Sequence, residues 1–149
     1  MSYTTKDIRN VCLLGHGGSG KTTLTENMLY LTGAIDRQGK VNDGNTVCDY
    51  DAEEIKRQVT ISAAIAPISF GGKKINVIDC PGFQDFAGEV AAALRAVEAG
   101  IIFCTAKDRE IYETRERSEK LKGHGRRVQQ APESVRRDRS DDRDGVRGK

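Results

Sequence analysis

Apolar residues recur along this chain in short blocks whose period switches between that of a strand and that of a helix. Ile8, Val11, Leu13 and Leu14 form a compact run suited to a buried strand, and Leu24, Met28 and Leu31 follow at helical spacing. Gly33, just past the last of these, predicts the helix end, because glycine adopts the left-handed conformation there without steric cost. Residues 34–58 lose the periodicity and carry Asp36, Asp43, Asp49, Asp51, Glu53 and Glu54. A long loop is expected, with one helical turn near Ala52 to Lys56; such loops in small domains are commonly functional, and a mobile lid fits. Val59 to Ile68 and Lys74 to Ile78 are rich in β-branched residues, and Phe70-Gly71-Gly72-Lys73 between them predicts an antiparallel hairpin. Pro67 places the first of the pair at a sheet edge. Glu89 to Glu98 predicts a helix with Val90, Leu94 and Val97 on one face, Gly100 ends it, and Ile101 to Thr105 predicts a strand. Strand, helix and strand in succession imply right-handed crossovers and a largely parallel sheet.

Composition divides the chain near residue 106. Residues 1–106 hold 10 Lys or Arg against 12 Asp or Glu, whereas residues 107–149 hold 14 against 10. A domain is expected over 1–106 and a charged tail over 107–149. Asp108 to Leu121 could form a solvated helix, but Ile111, Tyr112 and Leu121 offer little apolar surface to dock it, and disorder is expected from about Lys122. No apolar run approaches the roughly 20 residues that cross a bilayer, and the N-terminal segment has no apolar core of a secretory signal, so a cytoplasmic protein without membrane contact is expected. Cys12, Cys48, Cys80 and Cys104 form no C-x-x-C pair, which points to reduced, structural thiols rather than a metal or redox centre.

The candidate chemistry lies between the first strand and the first helix. Gly15-His16-Gly17-Gly18-Ser19-Gly20-Lys21-Thr22 fits G-x-x-x-x-G-K-[ST], and Thr23 continues it into the helix. Its glycines let main-chain N–H groups face an anion, Lys21 adds a point charge for the outer phosphates, and Thr22 offers a hydroxyl to Mg²⁺. The competing view is a glycine-rich turn without a ligand, which the strand and helix on either side make less economical. Asp79 ends the hairpin's second strand, where it is either a Mg²⁺ partner or simply the first residue of a turn. Gly82 lets backbone approach a ligand closely.

Taken together, GHGGSGKTTLTENMLYLTGAID, RQVTI, INVIDCPGFQDFAGEV and ALRAVEAGIIFC resemble the start of the GTP-binding domain of translational GTPases of the elongation factor G type. The resemblance spans residues 8–106. It implies an α/β P-loop NTPase fold of three layers, with a mostly parallel sheet and one antiparallel edge hairpin, truncated before its last strands. It further implies GTP as ligand and substrate, Mg²⁺ as cofactor and the ribosome as partner. By position, residues 15–23 become the phosphate cradle, with Lys21, Thr60 and Gly82 taking part in catalysis. Thr22, Thr60 and Asp79 become the metal set, and Gly82 senses the γ-phosphate.

Three departures from the family pattern carry consequences. Phe83 stands where relatives carry the histidine that positions the attacking water, so slow hydrolysis is expected, since such a group typically contributes about 10²- to 10⁴-fold. Gly18 replaces a frequent Asp, and Gln58 replaces the glycine of R-G-I-T, which restricts backbone freedom there. No Asn-Lys-x-Asp motif occurs in 107–149, so guanine selectivity is implied by resemblance alone. Without the strands that would carry it, Ile101 to Thr105 is expected to form an uncovered apolar edge. The change at Lys107 suggests translation out of register beyond it, which the nucleotide sequence would decide. Two further readings stand beside a GTPase. One is a non-catalytic nucleotide-binding module whose Arg126, Arg127, Arg136, Arg137 and Arg139 contact RNA, although the tail's many carboxylates argue against it. The other is a non-functional truncated product.

Overall fold

A computed structural model of the chain describes residues 3–104, 117–123, 125 and 127–130. Its sheet has five strands in the order β2-β3-β1-β4-β5: β1 Ile8–Gly15, β2 Ala64–Phe70, β3 Lys73–Asp79, β4 Ala99–Phe103 and β5 Arg127–Gln130. All neighbours are parallel except the β2–β3 hairpin. Pro67 lies in the outer strand of that hairpin, where a missing N–H is tolerated.

Alternation along β1 divides the interior. Cys12 and Leu14 face one side, with Ile78, Ile102 and the α3 (Ala87–Ala96) residues Val90, Ala93 and Leu94. Leu13 faces the other, with Val77, Ala66, Phe103 and Leu29 of α1 (Lys21–Leu31). Two cores on two faces of one sheet make the three-layer α/β P-loop arrangement that the motif order implied. Gly33 does end α1, at φ 69°, with its N–H donating to the Tyr30 carbonyl at 3.0 Å.

The first hairpin strand starts later than the apolar pattern suggests, at Ala64 rather than Val59. Carboxylates capture the intervening backbone donors: Glu54 Oε1 accepts from Ile61 N and Ser62 N at 2.9 and 3.0 Å, and Glu89 Oε2 accepts from Ala63 N at 3.0 Å. Residues 59–63 therefore stay off the ladder, and Thr60 belongs to a loop. The helical turn expected near Ala52 is α2, Ala52–Arg57, held by a capping box between Asp51 and Glu54. The loop before it is anchored rather than a free lid. The fully buried Glu26 carboxylate accepts from Gly39 N at 2.9 Å and Val47 N at 2.5 Å, and Cys48 enters the core.

Gly100 does not end a helix; it sits inside β4, opposite Cys12 of β1. A Cβ there would come within 2.5 Å of Leu121 Cδ1, so the bare backbone makes room for a side chain from a further helix, α4, over residues 117–123. Leu121 is fully buried. The β4 edge is likewise not uncovered, since β5 pairs with it in parallel from Ala99↔Arg127 to Ile102↔Gln130. One well-placed leucine and four backbone pairs dock a segment whose composition predicts solvation. Ile111, Tyr112 and most of the proposed helix 108–121 lie outside the described residues.

Candidate functional site

β1 hands the chain to α1 through residues 15–20, and the turn is tight because glycine occupies its demanding positions. Gly18 and Gly20 have φ of 76° and 97°, a region that a Cβ disfavours. Gly20 forms the N-cap of α1, so Lys21, Thr22 and Thr23 open the helix and the positive end of its dipole faces the loop. Lys21 Nζ donates to the Gly15 and His16 carbonyls, both at 3.0 Å, which folds the loop around the ammonium. Burial pushes the Lys21 pKa down to about 8; the Asp79 charge opposes that shift, and the Arg117 guanidinium adds to it.

Three segments distant in sequence meet at Thr22. Its hydroxyl donates to Asp79 Oδ2 at 2.6 Å and lies 3.3 Å from Thr60 Oγ1. Thr60 Oγ1 donates in turn to Asp49 Oδ1 at 2.7 Å. Asp79 is fully buried, and burial raises its pKa to about 6 against the pull of Thr22 and Lys21. Burial raises the Asp49 pKa as well, opposed by its bond from Thr60. Asp79 Oδ1 and Ser19 Oγ are the buried side-chain oxygens without a hydrogen-bond partner among the described residues. An all-oxygen set of two hydroxyls and two carboxylates, with one carboxylate oxygen unmatched, fits a hard divalent cation of the Mg²⁺ kind.

Gly82 presses directly on the phosphate loop. A Cβ at Gly82 would collide with Gly17 N, so no other residue fits. A Cβ at Gly17 would in turn meet Phe83 Cε2 at 2.6 Å, and the Phe83 ring tilts against His16 at a centroid distance of 5.8 Å. Phe83 thus fills the space above a glycine and presents only carbon. A cleft of about 50 Å³ is lined by Gly18, Gly20, Thr22, Thr60, Gly82 and Phe83, among others.

Residues 15–23, Thr60, Asp79 and Gly82, singled out from the sequence for phosphate and metal chemistry, lie in this one region. Two were missed there. Asp49 was one acidic residue among several in an aperiodic loop, and its burial depends on how Glu26 pins that loop. Arg117 was assigned to a charged tail, yet it is buried, donating through Nη1 to the Gly15 carbonyl and through Nη2 to the Gly82 carbonyl at 2.7 Å.

Comparison with known proteins gives this geometry a family. Residues 6–128 match the family described as the elongation factor Tu GTP binding domain. The chain belongs to that family. It is 42% identical over 101 residues to an elongation factor G-like protein of Mycobacterium tuberculosis, covering 68% of this chain and 14% of that protein. To elongation factor G 2 of Streptomyces coelicolor it is 46% identical over 94 residues, covering 63% and 14%. The crystal structure of a Thermus thermophilus protein superposes with a TM-score of 0.73 at 40% identity, covering 78% of this chain and 18% of that one. The fold is shared with a bacterial selenocysteine-specific elongation factor at a TM-score of 0.60 and 23% identity, covering 86% and 21%. The chain spans about one-seventh of the length of the curated relatives it matches. Among the described residues no helix is long and apolar enough to cross a membrane.

Proposed function

We propose that this chain binds GTP with Mg²⁺ as part of an elongation factor G-like translational GTPase and hydrolyses it slowly. The observation that carries the reading is the meeting of Thr22, Thr60 and the half-matched Asp79 carboxylate at the N-terminus of α1. Residues 15–23 would hold the phosphates, and Thr22, Thr60 and Asp79, joined by Asp49, would hold the metal. A Mg²⁺ held there would supply positive charge to offset that of the bound phosphates. Lys21 would leave the Gly15 and His16 carbonyls for the outer phosphates, where its charge and the loop N–H groups stabilise the leaving phosphate. The Gly82 N–H would meet the γ-phosphate.

Water attack is the weak step. The Phe83 side chain has no hydrogen-bonding atom with which to orient a nucleophile, and its ring closes over Gly17. The same contact favours, as a second reading, a module that holds nucleotide with no useful turnover. Ribosome binding rests on the relatives; of the arginines offered for RNA contact, Arg127 lies in β5 and the others lie outside the described residues.

Titrating GTP and ATP against the protein in Mg²⁺ tests the binding reading, which predicts a preference for GTP; equal affinity would remove guanine selectivity. Single-turnover hydrolysis with ribosomes present separates the two readings. Phe83→His should raise the GTP rate by about 10²-fold, and an unchanged rate would leave only the binding module.

A further inference from the structure

Arg117 and Leu121 are four residues apart, so they share a face of α4. Leu121 is seated on Gly100 of β4, and that strand lies beside β1, whose last residue, Gly15, pairs with Phe103. Seating the leucine therefore carries the Arg117 side chain to the end of β1, where the phosphate loop begins. There the guanidinium forks: Nη1 donates to the Gly15 carbonyl and Nη2 to the Gly82 carbonyl at 2.7 Å. Gly15 opens the loop, and Gly82 belongs to the segment that follows β3. The two hydrogen bonds tie together parts of the site that come from different strands, at a place where Arg117 is only 8% exposed.

We infer that Arg117 is a positioning residue which clasps the 81–83 segment onto the phosphate loop and thereby favours a nucleoside triphosphate over the diphosphate. The inference rests on the nucleotide-binding reading above. In the clasped arrangement Gly82 already abuts Gly17, and a Cβ at Gly82 would strike Gly17 N. A segment in that position has little ordering left to undergo when a third phosphate arrives. A segment released from the clasp must be ordered at the moment of binding, which weakens the triphosphate and leaves the diphosphate nearly untouched. Only arginine serves fully, because its planar fork sets two separate nitrogens toward carbonyls on different segments, whereas a lysine ammonium must make all its bonds from one nitrogen.

The test measures dissociation constants for GDP and for a non-hydrolysable GTP analogue in Mg²⁺, with wild type, Arg117→Gln and Arg117→Lys. Charge-assisted bonds of this kind lead us to expect about tenfold weaker analogue binding in Arg117→Gln, with GDP changed less than about twofold, and partial recovery in Arg117→Lys. Equal weakening of both nucleotides, or none, overturns the clasp. Should Arg117→Gln not fold, amide exchange of residues 82 and 83 in the wild type decides the matter: equal protection with GDP and with the analogue supports the clasp, and protection only with the analogue overturns it. A wild type that binds neither nucleotide defeats the nucleotide reading and the clasp with it, whereas binding with an unchanged GDP-to-analogue ratio defeats the clasp alone.

Discussion

Asp79 concentrates the electrostatics of the site in one side chain. It is a fully buried carboxylate with one oxygen bonded to Thr22 and the other unmatched. Burying a carboxylate costs several kcal/mol unless a positive partner is supplied, and a divalent cation supplies it. Asp79→Asn should therefore abolish the dependence of nucleotide binding on Mg²⁺, and titration with and without a chelator measures this; full retention of that dependence would remove Asp79 from the metal set. A second carboxylate acts on stability far from the site. Asp7 Oδ1 accepts from Lys73 Nζ at 2.6 Å, and this bond, with two from Thr4, lowers its pKa from 3.8 to about 2. A depressed folded-state pKa means that the stabilisation is complete above about pH 4 and is lost as pH falls from there toward 2. Asp7→Asn should flatten that part of the pH profile, read as urea midpoints between about pH 6 and about pH 2.5. At this scale the sequence told much: Gly15 to Thr22 was recognisable from residue types at fixed spacing, and Asp79 through the family resemblance. Asp49 was not, because an acidic loop residue has no local mark of burial.

At the scale of elements, periodicity located the strands and helices, and contacts between them set the ends. β2 begins at Ala64 because Glu54 and Glu89 take the N–H groups that would otherwise pair. No single-residue propensity encodes that capture. Gln58 closes α2 at φ 55°, and among the described residues it is the one non-glycine with positive φ. An L-residue in that region costs about 1 kcal/mol, so Gln58→Gly should raise stability by up to about that amount, offset partly by the lost bond from its Nε2 to the Asn42 carbonyl. Thermal denaturation checks it. The Gly100–Leu121 contact makes the opposite prediction. Leu121→Ala removes a fully buried side chain and should cost about 2–5 kcal/mol, measured by urea unfolding. Glycine at 100 reads locally as a helix stop; its reason is a leucine far along the chain, which no local pattern reveals.

The whole molecule is a sheet whose two faces and one edge are covered from different parts of the chain. Helices α1 and α3 cover the faces, while α4 and β5 cover the side at β4. The family match extends to residue 128, and Leu121 and β5 pack as part of the domain, so the compositional change near residue 107 is not where the fold ends. Removing residues 107–149 should expose the β4 edge and lead to concentration-dependent aggregation, which light scattering would detect. Composition misled here because high charge describes the solvent-facing side of α4 and says nothing of the face that carries Arg117 and Leu121. The central claim is that residues 15–23, with Thr60 and Asp79, form a Mg²⁺-dependent nucleotide site. Calorimetric titration of GTP into wild type and Lys21→Ala, each in Mg²⁺ and in chelator, tests it most directly. Binding by the wild type in Mg²⁺, about tenfold or more weaker in chelator and lost in Lys21→Ala, is the predicted result; binding that is absent, or indifferent to both Mg²⁺ and Lys21, would contradict it.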